Sequence, residues 1–222
     1  MNPMIQKNIS FKKEGEENGF SSSPFAVARE ADRLMRIKGN SRGEMLRTHA
    51  IYILYRKGEE GVRLVEKKME ELGYPLRFKG IRPLSWYPEA LSVLVILCAK
   101  EIFKWKDSDI FDMGNSAPKY SFIVKLLMKY FISPRRCFEE SPEYWRKHFD
   151  FGEMEASELS EKEKYLVVRV KGYKFHPIIC NFHAGYFLRI AQFLIKNEKI
   201  AIEESKCIYK GDPYHEYVIS WK

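Results

Sequence analysis

Apolar residues recur at three- and four-residue intervals through most of the first 150 positions, and this spacing predicts helices. Ser23-Pro24 reads as an N-cap followed by proline at the first helical position. It opens a helix over about 24–38 that Gly39 stops. Ser41-x-x-Glu44 has the pattern of a capping box and opens a helix carrying Leu46, Ala50, Ile53 and Leu54 as far as Gly58. A third helix sets Val62, Val65, Met69 and Leu72 on one face and ends at Gly73. A fourth starts near Pro88 and holds the longest apolar run, ALSVLVILCA at 90–99. That run is far short of the ~20 residues a membrane span needs, so it reads as a buried core helix. A fifth helix is expected from Ser116-Ala117-Pro118, with Ile123, Leu126, Leu127 and Tyr130. Ser133-Pro134 and Ser141-Pro142 mark one or two shorter helices ending near Asp150.

From residue 151 the period changes. Glu153–Ser157 and the β-branched run Tyr165–Val170 predict strands. Residues 178–196 return to helical texture, with Tyr186, Ile190, Phe193 and Leu194 within reach of one stripe. Strands are predicted again over Lys199–Ile208 and His215–Trp221; in the last, His215, Tyr217, Ile219 and Trp221 alternate with Glu216, Val218 and Ser220. Helices followed by β-β-α-β-β predict an α+β fold, with helices packed on an antiparallel sheet of about four strands. Residues 1–22 are polar and mixed in charge. They read as a flexible arm ahead of a single domain over 23–222.

Composition narrows the classes. The 222 residues are long enough to bury a real core. A net charge of +8 suits an anionic partner without demanding one. Four cysteines in this length do not make a disulfide scaffold, and the first twenty residues hold no apolar signal core. The expectation is a soluble, cytoplasmic protein with reduced thiols and no membrane partner.

The chemistry concentrates at the C-terminus. Gly211, Asp212 and Pro213 are turn formers. Strands pairing symmetrically about Gly211 would set Cys207 opposite His215, with Cβ atoms roughly 4.5–5.5 Å apart, a gap that zinc can bridge. The same alternation puts His215 on the core side, where an imidazole needs a partner.

Cys180-Asn-Phe-His-Ala-Gly185-Tyr186, then Glu204-x-x-Cys207, then Gly211-Asp212-Pro213-Tyr214-His215, resembles the ending of the 4-vinyl reductase domain family. Relatives of that family include the ligand-sensing domains of phenol-responsive transcriptional activators. The wider superfamily includes haem nitric-oxide-binding domains and TRAPP trafficking subunits. The resemblance covers about residues 178–221 and is looser over 40–177, where Ser85-Trp86-Tyr87-Pro88 carries it. It implies a structural zinc site beside a ligand pocket, with Cys180, Glu204, Cys207 and His215 as ligands. His215 stands where relatives commonly carry cysteine, and imidazole for thiolate is conservative at zinc. Periodicity leaves one alternative open. On a regular strand Glu203, not Glu204, shares the face of Cys207, unless a bulge shifts the alternation.

Other residues read more plainly. Cys98 and Cys137 have no partner in view and are expected to be structural; His49 and His148 are expected to be ordinary core or surface histidines. His176 and His183 flank Cys180, and His183, one turn on, would lie near the metal or line a pocket. Haem or another tetrapyrrole is an alternative cofactor, although no Y-x-S-x-R element is present. Arg29, Arg33, Arg36, Lys38, Arg42, Arg47, Arg56 and Lys57 make residues 24–57 basic. A nucleic-acid-associated regulator is therefore a second alternative, set against a solvated helix face. No dinucleotide fingerprint, nucleophile elbow or acid–base pair is present, so an enzyme is left open but not expected. The reading is a non-catalytic sensor of a small hydrophobic or aromatic ligand, with structural zinc and a partner or homodimer to receive the signal.

Overall fold

In the computed structural model, residues 24–128, 133–195 and 199–222 are described. The arm at 1–22, the cap at Ser23 and the helical position at Tyr130 lie outside them. Helix α1 (Pro24–Met35) leads to a short strand, β1 (Asn40–Arg42). The long helix α2 (Glu44–Glu71) breaks at Gly58, whose φ of 68° and ψ of −173° suit glycine alone. The two helices expected around Gly58 are the arms of this element. A strand, β2 (Trp86–Pro88), precedes α3 (Glu89–Phe103), which holds the apolar run and is buried from Glu89 to Ala99 except at Leu91.

Ser41 and Glu44 do not form a capping box. Ser41 pairs with Tyr87 in the small β1–β2 sheet, and Gly43 takes the N-cap of α2. The Glu44 carboxylate instead accepts from the backbone N–H of Phe122, a partner 78 residues away. Pro118 also differs from expectation. It lies in the last turn of α4 (Asp107–Tyr120) rather than at a helix start, and α5 (Phe122–Met128) follows after Ser121. Asp107 and Asp109 in the first turn of α4 suit the positive end of its dipole, and Asp109 accepts from the Lys106 N–H at 2.8 Å. Ser133-Pro134 does start α6 (Pro134–His148), where the Ser133 hydroxyl accepts from Arg136 N–H. Pro142 lies inside this single helix, so Ser141-Pro142 opens no second one.

The remaining strands are β3 (Glu153–Ser160), β4 (Tyr165–Lys171), β5 (Ile200–Lys206) and β6 (His215–Trp221), with α7 (Ile178–Leu194) between β4 and β5. They form one antiparallel sheet in the order β3-β4-β6-β5. The alternation in β6 is realised: His215, Tyr217 and Ile219 are buried at 0%, 0% and 3% exposure. Helix α6 packs along β3, and α7 across β5 and β6, giving the α+β architecture expected. The inward face of α7 carries Phe182, His183, Phe187, Leu188 and Ala191, whereas Phe193 points outward. Leu54 is likewise exposed. No helix among the described residues is long and apolar enough to cross a membrane.

Candidate functional site

Four side chains converge where α7 meets the last hairpin. Cys180 comes from the first turn of α7, Glu204 from β5, Cys207 from the residue after β5, and His215 from the start of β6. Their ligand-type atoms all lie within 4.8 Å of one another. The pairing between β5 and β6 slips between Glu204↔Tyr217 and Lys206↔Glu216. This bulge adds one residue and reverses the side-chain alternation, which brings Glu204, not Glu203, to the side of Cys207. One step past the last pair, Cys207 and His215 stand at the mouth of the hairpin.

The turn is held by its own residues. The Asp212 carboxylate accepts from Cys207 N–H at 2.8 Å, and the Cys207 carbonyl accepts from the N–H groups of Lys210 and Asp212 at 2.8 and 3.2 Å. Gly211 closes the turn at φ 97°.

Three of the six distances within the cluster suit a tetrahedral ion. With Zn–S about 2.3 Å and Zn–N or Zn–O about 2.0–2.1 Å, tetrahedral angles put two sulfurs ~3.8 Å apart, sulfur and nitrogen ~3.6 Å, and nitrogen and oxygen ~3.3 Å. The Cys180 and Cys207 sulfurs are 3.6 Å apart, Cys180 Sγ is 3.7 Å from His215 Nδ1, and His215 Nδ1 is 3.1 Å from Glu204 Oε1. The other imidazole nitrogen, Nε2, donates to the Tyr173 carbonyl at 3.2 Å, which aims Nδ1 at the cluster. The groups of the cluster also shift one another's protonation. The hydrogen bond from Cys180 to Cys207 pulls the Cys207 thiol down to about 6 and pushes Cys180 up. Burial opposes charge on His215, but the hydrogen bonds to Glu204 and to the Tyr173 carbonyl outweigh it and raise its pKa.

One turn along α7 from this cluster is a cavity whose mouth is open to solvent. Helix α7 supplies one wall with Phe182, His183, Tyr186 and Phe187, and α6 the other with Cys137, Tyr144, Trp145 and His148. Two imidazoles face it. His148 donates from Nδ1 to the Tyr144 carbonyl at 2.9 Å, since a carbonyl can only accept. Its Nε2 is then a bare acceptor, with no hydrogen-bond partner among the described residues. His183 Nδ1 is also without such a partner there, and its ring stands 4.8 Å from that of Tyr173. Burial lowers the pKa of both, that of His183 to about 3, so both are neutral at pH 7.

His183 therefore lies on the cavity side, one of the two positions its spacing allowed. His148 was expected to be ordinary. The overlooked signal is the stripe Cys137, Ser141, Tyr144, His148 at helical spacing, all four of which line the cavity. His49 is buried, bonded to Ser92 Oγ at 2.8 Å, and packs edge-on against Phe182 without lining the cavity itself. Cys98 is buried in α3; Cys137 is buried but contributes to the cavity wall. His176 accepts from Ile178 N–H at 3.0 Å at the entry to α7. Three of the eight basic residues have internal hydrogen bonds: Arg33 bonds Glu30 and the Phe175 carbonyl, Arg42 the Leu84 and Lys147 carbonyls, and Arg56 bonds Asp109.

No protein-family model matches the chain, and no curated protein matches it significantly. Solved structures do. An H-NOX protein from S. oneidensis in the Fe(II)NO ligation state superposes with a TM-score of 0.62 at 11% identity, over 82% of this chain and 99% of that one. An oxygen-binding H-NOX domain related to soluble guanylate cyclases, as its oxygen complex, gives 0.58 at 12% identity, over 82% and 95%. A structure probing heme distortion in the H-NOX family gives 0.60 at 13%, over 82% and 95%. Through its tertiary structure, and not through its sequence identity, this chain takes the fold of the H-NOX domains.

Proposed function

We propose that the chain is a non-catalytic sensor module that binds an uncharged, largely apolar or aromatic molecule in the cavity, and that a zinc ion on Cys180, Glu204, Cys207 and His215 ties α7 to the last hairpin. The observation that carries the ligand reading is the unpartnered lone pair of His148 Nε2 in a wall that is mostly apolar. Ligand pockets combine apolar lining with a few placed polar groups. A lone-pair acceptor selects a ligand hydroxyl or N–H. A carboxylate is disfavoured, because no Arg or Lys is among the described residues lining the cavity.

The motif resemblance to the 4-vinyl reductase domain supports the same reading, as do the tetrahedral distances of the cluster. Zinc there has a closed set of four protein ligands with no open position for activated water, so its part is structural. The signal would pass to a second copy of the chain or to another protein.

Haem is the group that the fold neighbours raise. Two neutral imidazole nitrogens suit an axial ligand. The two propionates, however, find no cation among the described lining residues, and the Y-x-S-x-R element is missing from the sequence. The described lining does not fit haem.

Calorimetry with indole, which is uncharged, aromatic and carries one N–H, tests the ligand reading. Binding is expected, and His148→Leu should weaken it by about 5- to 10-fold, the worth of one hydrogen bond. Metal analysis should return about one zinc per chain. A Soret band in the purified protein, or equal indole binding by wild type and His148→Leu, would overturn the reading.

A further inference from the structure

The metal cluster and the cavity meet at one residue. Tyr173 lies in the connection between β4 and α7, in neither a strand nor a helix, and is fully buried. Its carbonyl accepts the Nε2 proton of His215, the bond that aims Nδ1 at the cluster. Its ring lies 4.8 Å from His183, 6.2 Å from Trp145 and 6.1 Å from Phe149, all three of which line the cavity. Its hydroxyl donates to the buried Glu89 carboxyl.

We propose that Tyr173 is a positioning residue that couples the cavity to the metal centre, so that an uncharged aromatic ligand and zinc raise each other's affinity. This rests on the reading of the two sites above. Because no strand or helix ladder holds the Tyr173 carbonyl, the packing of its ring sets where that carbonyl stands. A ligand pressed against His183, Trp145 and Phe149 restrains the ring from the cavity side. The carbonyl is then already ordered when His215 takes up metal. Ordering needed by both events is lost only once, which is positive cooperativity without a large conformational change. Linkage makes the effect reciprocal: the factor by which zinc tightens indole is the factor by which indole tightens zinc.

The test measures indole binding by calorimetry on chelator-stripped and zinc-loaded full-length protein, and zinc affinity by chelator competition with and without saturating indole. The expected coupling is about 5-fold or more, equal in both directions. Tyr173→Phe keeps the ring and should keep the factor. Tyr173→Leu keeps the carbonyl but loses the ring; both partners should still bind, more weakly, with a factor near one. If Tyr173→Leu or the stripped chain does not fold, zinc competition on His183→Leu carries the comparison, and the factor should again collapse. Equal indole affinity with and without zinc, in a protein that binds both, would overturn the proposal. So would a factor that survives both Tyr173→Leu and His183→Leu. Failure of indole to bind in any state would instead bring down the cavity reading itself, and the coupling with it.

Discussion

A carboxyl at position 89 has 1% of its surface exposed, and its neighbour across the core is the Tyr173 hydroxyl. Burial pushes the Glu89 pKa up to about 7, while hydrogen bonds from nearby hydroxyls pull the other way and lose. A pKa raised on folding stabilises the protein below the unfolded value, near 4.5, and that stabilisation is lost as the pH rises through about 7. The size is on the order of 3 kcal/mol, from about 1.4 kcal/mol per unit. Denaturant unfolding of wild type and Glu89→Gln should therefore diverge in slope between pH 5 and pH 8. Wild type loses stability over that interval, and the glutamine variant loses less. Acid effects at the thiol cluster are common to both proteins and cancel in the difference. Parallel profiles would show that the carboxyl is not held protonated.

Among the elements, α4 and α7 cross more closely than any side chain allows. A Cβ on Gly114 would stand 1.9 Å from the Phe182 carbonyl oxygen, and one on Gly185 would stand 2.0 Å from that of Phe111. Both obstacles are backbone, so neither can swing aside. Gly185 belongs to the motif that begins at Cys180, and the crossing supplies its physical reason: it lets α7 lie against α4 while presenting Cys180 to the hairpin and His183 to the cavity. Gly185→Ala should cost roughly 3 kcal/mol through forced separation of the helices, and lower the melting temperature by roughly 6–12 °C. Unchanged melting would mean that the helices are not so tightly apposed. The start of α4 was hidden for a related reason. Pro118 suits the first turn of a helix in isolation, yet α4 tolerates it in its last turn, and the packing of Ile110 and Met113 into the core decides between the two.

For the molecule as a whole, the cluster brings α7 together with the β5–β6 hairpin, with Cys207 lying 27 positions after Cys180 in the chain. If zinc occupies the cluster as proposed, removing it should loosen that joint. Chelator treatment is expected to lower the melting temperature, and Cys207→Ala to abolish the chelator effect along with the bound zinc. Cys98→Ala, a deletion inside α3, should leave metal content intact. Zinc binding expels thiol protons, so affinity should fall as the pH is lowered. If Cys207→Ala melts as wild type does and releases no metal, the structural role is wrong.

Local chemistry was enough to mark most elements. Period and caps are written into neighbouring residues, so α1, α3, the break at Gly58, the start of α6 and the strands β4 and β6 were legible in the chain alone. Cys180, Glu204, Cys207 and His215 could be named because their order and spacing resemble those of a known family. Periodicity by itself favoured Glu203, and only the β5 bulge, a matter of pairing between strands, brings Glu204 round. The partner of Glu44, the Gly114–Gly185 crossing, the cavity and the exposed lone pair of His148 depend on segments far apart in the chain. No spacing rule encodes such meetings; they exist only once the helices have packed.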